Sequence, residues 1–160
     1  FEEGLQNYQQ ALEIKRNALG EQNPDLAVEY INVGKSFSCL DRHQEALEVY
    51  NKALELKIKQ FGECHAETAE NYDNVGTAHI RLGQYSKALE FYEKELELRK
   101  KAVGEVHLNS AASYNNVGSS LLKLGRYAEA LEYCNKALGI WKTAMGDDHP
   151  TTAVGYNSVG

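Results

Sequence analysis

Tyr114-Asn115-Asn116-Val117-Gly118 is one of four copies of the same phrase. Forty-two residues upstream stands Tyr72-Asp73-Asn74-Val75-Gly76, and forty-two further upstream Tyr30-Ile31-Asn32-Val33-Gly34. The last copy is Tyr156-Asn157-Ser158-Val159-Gly160. A fixed period between about 20 and 50 residues marks a solenoid, propeller or array. The chain is a repeat protein.

Between copies the apolar spacing is helical. Ala46, Leu47, Tyr50, Ala53, Leu54, Ile58 and Phe61 fall at i, i+3, i+4 and i+7, the stripe of an amphipathic helix. Tyr85, Ala88, Leu89, Tyr92 and Leu96 repeat it, as do Tyr127, Ala130, Leu131 and Leu138. This spacing predicts B helices over roughly 43–60, 85–102 and 127–144, with a lone one over about 1–18. Each stops at a glycine in register, Gly20, Gly62, Gly104 or Gly146, where a left-handed cap favours a residue without Cβ.

The Tyr-x-x-Val-Gly phrase lies on a second helix, A, whose starts are expected at the cap-forming Asp25, Asn109 and Thr151, with Glu67 the weaker fourth member. The A helices are expected to end near Leu40, Leu82 and Leu124. Gly83 and Gly125 turn the chain into B, and Asp41 takes that place in the first unit. Gly34, Gly76 and Gly118 in A and Ala46, Ala88 and Ala130 in B are small where helices must approach closely. Neither helix buries its stripe alone, so stability comes from stacking neighbours.

Composition excludes several classes. A 160-residue chain that is 42% hydrophobic, with 13 Gly against 2 Pro, suits a short helical solenoid. A formal charge of -6 argues against nucleic acid, whose phosphates need a clustered basic face. No apolar run approaches about 18 residues, so no membrane span is expected. The chain starts at Phe1 without a signal-like segment and reads as a piece of a longer cytoplasmic protein. Cys39, Cys64 and Cys134 sit at different phases of the repeat, which favours reduced thiols.

Small-x-x-Tyr-x-x-Val-Gly in A, followed by Leu-Gly-x-Tyr-x-x-Ala-Leu-x-Tyr-x-x-x-Ala-Leu in B, resembles the tetratricopeptide repeat. The 42-residue unit, with Ala144, Gly146, His149 and Pro150 between units, is similar to the kinesin light chain and nephrocystin-3-like subgroup. The resemblance covers the whole chain. It implies an all-α superhelix in a single domain: a half repeat over 1–24, repeats over 25–66, 67–108 and 109–150, and a half repeat over 151–160. It further implies a non-catalytic interaction module that binds a protein or peptide in its concave groove.

In the family, the A-helix stripe facing away from B lines that groove. At about 100° per residue, Val28, Asn32, Lys35 and Cys39 lie opposite Tyr30, Val33, Gly34 and Phe37. The stripe continues as Glu70, Asn74, Thr77 and Arg81, then Ala112, Asn116, Ser119 and Lys123, then Val154 and Ser158. Ile31, Asp73, Asn115 and Asn157 flank it. Asn32, Asn74 and Asn116 form one column of amides, which either pairs with an extended peptide backbone or bonds a neighbouring helix to hold repeat geometry. Lys35, Arg81 and Lys123, with Glu70 and Asp73, would then select side chains. The family's carboxylate clamp is not expected, because Val28, Ile31, Glu70, Asp73, Ala112 and Asn115 occupy its places.

Other candidates weigh less. His65, His107 and His149 are in register but fall in separate loops, too far apart to converge on zinc, and Asn23 opens their column. A loop histidine bonding nearby backbone is the expectation, and no metal or cofactor site is expected. Cys64-His65 lacks a third orienting group, so no catalytic residue is named. His79 stands where other units have Phe37 and Leu121 and is expected to be packed. Glu95 stands in the column of Ala11, Ala53 and Ala137, where a carboxylate needs a cation. Trp141 replaces Lys15, Lys57 and Arg99 and is either covered by the next unit or exposed as a contact. Leu5, Tyr8 and Leu12 at one end and Tyr156 and Val159 at the other lack their partner helices, so head-to-tail self-association is expected. An architectural spacer with an empty groove is the alternative function.

Overall fold

The computed structural model describes residues 2–159. Phe1 and Gly160, which end the repeat register, lie outside the described residues. Among the described residues the chain forms eight α-helices and no strand: α1 (Glu2–Leu19), α2 (Ala27–Cys39), α3 (His43–Phe61), α4 (Ala66–Arg81), α5 (Tyr85–Val103), α6 (Leu108–Lys123), α7 (Tyr127–Met145) and α8 (Pro150–Val159). One 3-10 turn, Pro24–Leu26, leads into α2. The helices group into two compact units, one ending at Gly83 and one beginning at Gln84. In the first, α1 packs on α2, α2 on α3 and α3 on α4; in the second, α5 packs on α6, α6 on α7 and α7 on α8.

The apolar columns read from the sequence form the cores. In the first unit Tyr30, Val33 and Phe37 of α2 are buried together with Ala46, Leu47, Tyr50, Ala53 and Leu54 of α3. The helices approach closely because Gly34 has no Cβ: the ring of Tyr50 occupies that space, with Cδ1 2.7 Å from where a Cβ would sit. In the second unit Cys134 takes the column of Tyr50 and seats its Sγ 2.5 Å from the missing Cβ of Gly118. His79 is buried, as its column requires.

Asp41 adopts φ 57°, and Gly83 and Gly125 adopt 71° and 75° at the same A-to-B turn. The B-helix stops differ from expectation. Gly62, Gly104 and Gly146 have φ near +90° but ψ of 160–165°, a region open essentially to glycine alone and distinct from the left-handed helical cap. The extended ψ has a local cause. It directs each carbonyl onto a buried hydroxyl of the following A helix: Thr68 donates to Gly62 O at 2.9 Å, Ser110 to Gly104 O at 2.7 Å and Thr152 to Gly146 O at 2.7 Å.

The side-chain caps that lead into the A helices also lie two residues before those expected; in the first unit the cap serves the 3-10 turn, and α2 itself starts after Leu26 with no side-chain cap. Asn23 Oδ1 accepts from the Asp25 N–H at 2.9 Å. His65, His107 and His149 do the same through Nδ1, accepting from Glu67, Asn109 and Thr151 at 3.2, 3.1 and 3.1 Å. Asp25, Glu67, Asn109 and Thr151 therefore donate to caps and are not the caps themselves. The in-register histidines are bonded to nearby backbone, as the loop reading held.

Candidate functional site

The predicted stripe lies on the solvent side of the A helices. On α2, Val28, Lys35 and Cys39 are exposed and Asn32 half-buried, while Tyr30, Val33 and Phe37 on the opposite side are buried. On α4, Glu70, Thr77 and Arg81 are exposed and Asp73 and Asn74 half-buried. Because α2 touches α4, these residues form one face of the first unit. Lys35 and Glu70 meet across it, Nζ to Oε1 3.7 Å, with both side chains more than half exposed. Such a pair contributes at most about 1 kcal/mol and opens readily.

In the second unit α6 presents exposed Ala112 and Lys123 with half-buried Asn115, Asn116 and Ser119. It touches α8, which adds exposed Val154 and Asn157. Apart from Lys123, that face is made of amides, hydroxyls and small apolar groups.

The amide column divides. Asn32 and Asn74 make no side-chain hydrogen bond to a neighbouring helix among the described residues, and Asn74 Nδ2 is shielded from solvent without a partner. Asn116 does have a partner. Asn115 Oδ1 is shielded and unbonded. Thus the first unit holds two amides in register whose bonding capacity is unused by the fold.

Behind the faces runs a column that the sequence reading missed. Tyr114 donates to Glu105 Oε1 at 2.6 Å, and Lys100 Nζ lies 3.7 Å from the same oxygen. Tyr156 donates to Asp147 Oδ1 at 2.8 Å beside Lys142 at 3.0 Å. The phenol's hydrogen bond and the nearby ammonium hold Glu105 below the usual carboxylate range. For Asp147 the ammonium of Lys142 is the larger cause. Burial and the neighbouring Glu63 push Tyr72 up to about 12. An acid stands nine residues before each of these tyrosines, a spacing visible in the sequence, and its role is structural: it ties the inter-repeat loop to the A helix.

Trp141 is 5% exposed and is covered by α8. Glu95 does reach a cation: Arg99 Nε donates to its Oε1 at 2.5 Å, although Glu95 itself stays 2% exposed.

Models of the tetratricopeptide repeat match residues 1–59 and 31–101, and a second such model matches 110–151. The chain belongs to the tetratricopeptide repeat family. Among solved structures it is similar to a Podosopora anserina protein with kinesin light chain nearly identical TPR-like repeats. The TM-score is 0.86 at 18% identity, over 99% of this chain and 74% of that one. It is also similar to BtubC (BKLC) from P. vanneervenii, with TM-score 0.83 and 23% identity over 95% and 61% of the two chains. The apo form of RapI gives 0.79 at 22%, over 97% and 41%. A search of curated protein sequences returns no match. These likenesses show the fold, a tetratricopeptide solenoid of helix-turn-helix repeats with kinesin light chain-like structural neighbours. Tetratricopeptide repeats are a family of protein–protein interaction modules, and no helix among the described residues is long and apolar enough to cross a membrane.

Proposed function

We propose that this chain is a non-catalytic module whose A-helix faces bind an extended peptide segment of a partner protein. The observation that carries the reading is the pair Asn32 and Asn74, in register on touching helices and unbonded to either neighbour. Each amide can donate to and accept from a peptide backbone, which fixes register without reading sequence. Helices about 10 Å apart and a strand rise of about 3.3 Å advance the ligand about three residues from Asn32 to Asn74. Lys35, Glu70, Asp73, Thr77 and Arg81 surround these amides and would select ligand side chains. On the second unit Asn115, Asn116, Ser119, Lys123 and Asn157 would serve the same end. The three cysteines are free thiols, which supports a reducing, cytoplasmic setting.

The test is a peptide-library selection with the full chain, repeated with Asn32, Asn74 and Asn116 all replaced by alanine. Selected peptides should lose affinity by about tenfold or more, as expected for several backbone hydrogen bonds. Undiminished affinity in the triple variant would overturn the groove reading and leave the spacer. Head-to-tail self-association belongs to the same proposal. Tyr8 on α1 and Tyr156 on α8 are exposed and Leu12 and Val159 half-buried, although Leu5, expected to be exposed, is buried. Sedimentation at high concentration should show association, and a strict monomer would dismiss it.

A further inference from the structure

A second cleft lies on the other side of α2 from Asn32. It opens between α1 and α3 over the buried face of α2, with a volume of about 420 Å³, within the range of sites that hold ligands. Its floor is apolar: Leu12, Tyr30, Val33, Phe37 and Val49. The second unit repeats the cleft two repeats later, between α5 and α7, with Leu96, Tyr114 and Tyr133 in the places of Leu12, Tyr30 and Val49. There the volume is only about 250 Å³. The ring of Tyr133 stands 6.0 Å from that of Tyr114, where the first unit has only the valine branch of Val49. Lys136 lies 5.6 Å from the Tyr114 ring, as Lys52 lies 5.7 Å from that of Tyr30.

The rims differ in charge in a matching way. In the second unit Glu97 is paired with Lys101 at 3.4 Å. Its counterpart Glu13 has Asn17 in the lysine's place, and neither Glu13 nor Glu48, the other free carboxylate on this rim, has an ion-pair partner among the described residues. Glu45 is already held by Arg42, Nε to Oε2 2.6 Å. The first cleft thus lacks the ring, and Glu13 lacks the lysine, that its repeat supplies from within the chain, while Arg16 and Lys52 line it as Lys100 and Lys136 line the second cleft.

We propose that this cleft is a docking site for a protein segment that presents an aromatic side chain next to a basic one. The aromatic ring takes the position that Tyr133 takes in the second unit, edge or face against Tyr30. The cation answers Glu13 and Glu48. The proposal does not depend on the Asn32 face.

The probe is a short Gly/Ser-framed peptide carrying Tyr-Arg, titrated into the full chain with methyl-labelled valine and leucine. Peptides carrying Tyr-Glu and Ala-Arg are compared with it. The Tyr-Arg peptide should shift the Val49 and Leu12 methyl signals saturably. It should bind about tenfold more tightly than Ala-Arg and a few-fold more tightly than Tyr-Glu. Val49→Tyr, which builds the second unit's ring into the first, should abolish binding. If that variant fails to fold, Glu13→Gln with Glu48→Gln, both on the exposed rim, decides: the preference for Tyr-Arg over Tyr-Glu should vanish. Shifts confined to other methyls, equal affinity for Tyr-Arg and Ala-Arg, or an unchanged preference in the double glutamine variant would overturn the site.

Discussion

Trp141 packs into the space that Gly155 leaves open. A Cβ on Gly155 would meet Trp141 Cε3 at 2.9 Å and Leu138 Cδ1 at 3.0 Å. The two positions are fourteen residues apart, and the same spacing links Lys15 to Glu29, which form an ion pair in the first unit. One contact between a B helix and the next A helix is therefore made by charge at one end of the chain and by a ring on a glycine at the other. Trp141 is the single tryptophan, so its fluorescence reports on the α7–α8 contact.

Gly155→Ala should destabilise the second unit. Alanine favours the helix by about 1 kcal/mol, while overpacking costs about 1–3 kcal/mol, so a net loss of about 1 kcal/mol is expected. Gly34→Ala should cost more, because its Cβ would enter the buried Tyr50 ring, meeting three ring atoms at 2.9 Å or less. Trp141→Lys, which restores the repeated residue, should cost about 3–5 kcal/mol through lost burial and the cavity beside Gly155. Denaturant unfolding of the three variants gives the order, and Gly155→Ala as costly as Trp141→Lys would contradict it.

The loop caps give a cleaner substitution series. His107→Ala removes the acceptor for the Asn109 N–H and should cost about 1 kcal/mol. His107→Asn should restore most of it, because Asn23 already performs this role at 2.9 Å in the first unit. Thermal unfolding distinguishes the outcomes, and an asparagine variant as unstable as the alanine variant would show that the imidazole contributes by packing.

The helices and their register were legible because each rests on several apolar positions at once, and no single residue decides them. The loops were less so. Asp25, Asn109 and Thr151 rank above histidine as caps, yet the backbone entering the helix is already extended at His107, and the residue in that conformation does the capping. The B-helix glycines were read as left-handed caps because the hydroxyls that donate to their carbonyls, Thr68, Ser110 and Thr152, lie six residues on, in another helix. Trp141 was undecidable by its own column. Its fate depends on Gly155, whose column runs Glu29, Asn71, Ser113 and Gly155, so the paired columns held the answer. The candidate face was legible as an exposed stripe by helical periodicity alone. That Asn32 and Asn74 stay unbonded while Asn116 does not is recorded by no spacing, since the three share one column of the repeat.

Alkaline conditions should unfold the chain through its buried tyrosines. Tyr72 rises from 10.0 to about 12, chiefly by burial, and Tyr114 rises as well, by burial and its bond to Glu105. A folded-state value above the unfolded one contributes stability that is present in full below pH 10 and is lost as pH climbs through about 12. Tyrosinate absorbance should therefore show one class titrating near 10 and a second that appears together with unfolding. Tyr72→Phe should narrow that loss, and a single class near 10 with the fold intact would refute it.

Glu95 and Arg99 should respond unequally to removal. Arg99 is a quarter exposed and can turn its guanidinium to water, whereas Glu95 sits almost wholly between helices. Breaking a buried pair is costly when the remaining charge stays buried. Arg99→Ala, which leaves the carboxylate without its guanidinium, should thus cost about 1–3 kcal/mol. Glu95→Ala leaves only the arginine, which solvent can reach, and restores the small residue found at Ala53 and Ala137. It should be neutral or stabilising, within about 1 kcal/mol. Urea unfolding of both variants separates them. A loss above about 1 kcal/mol for Glu95→Ala, or a harmless Arg99→Ala, would mean that the carboxylate is held by a wider polar network in which Arg99 is the lesser partner.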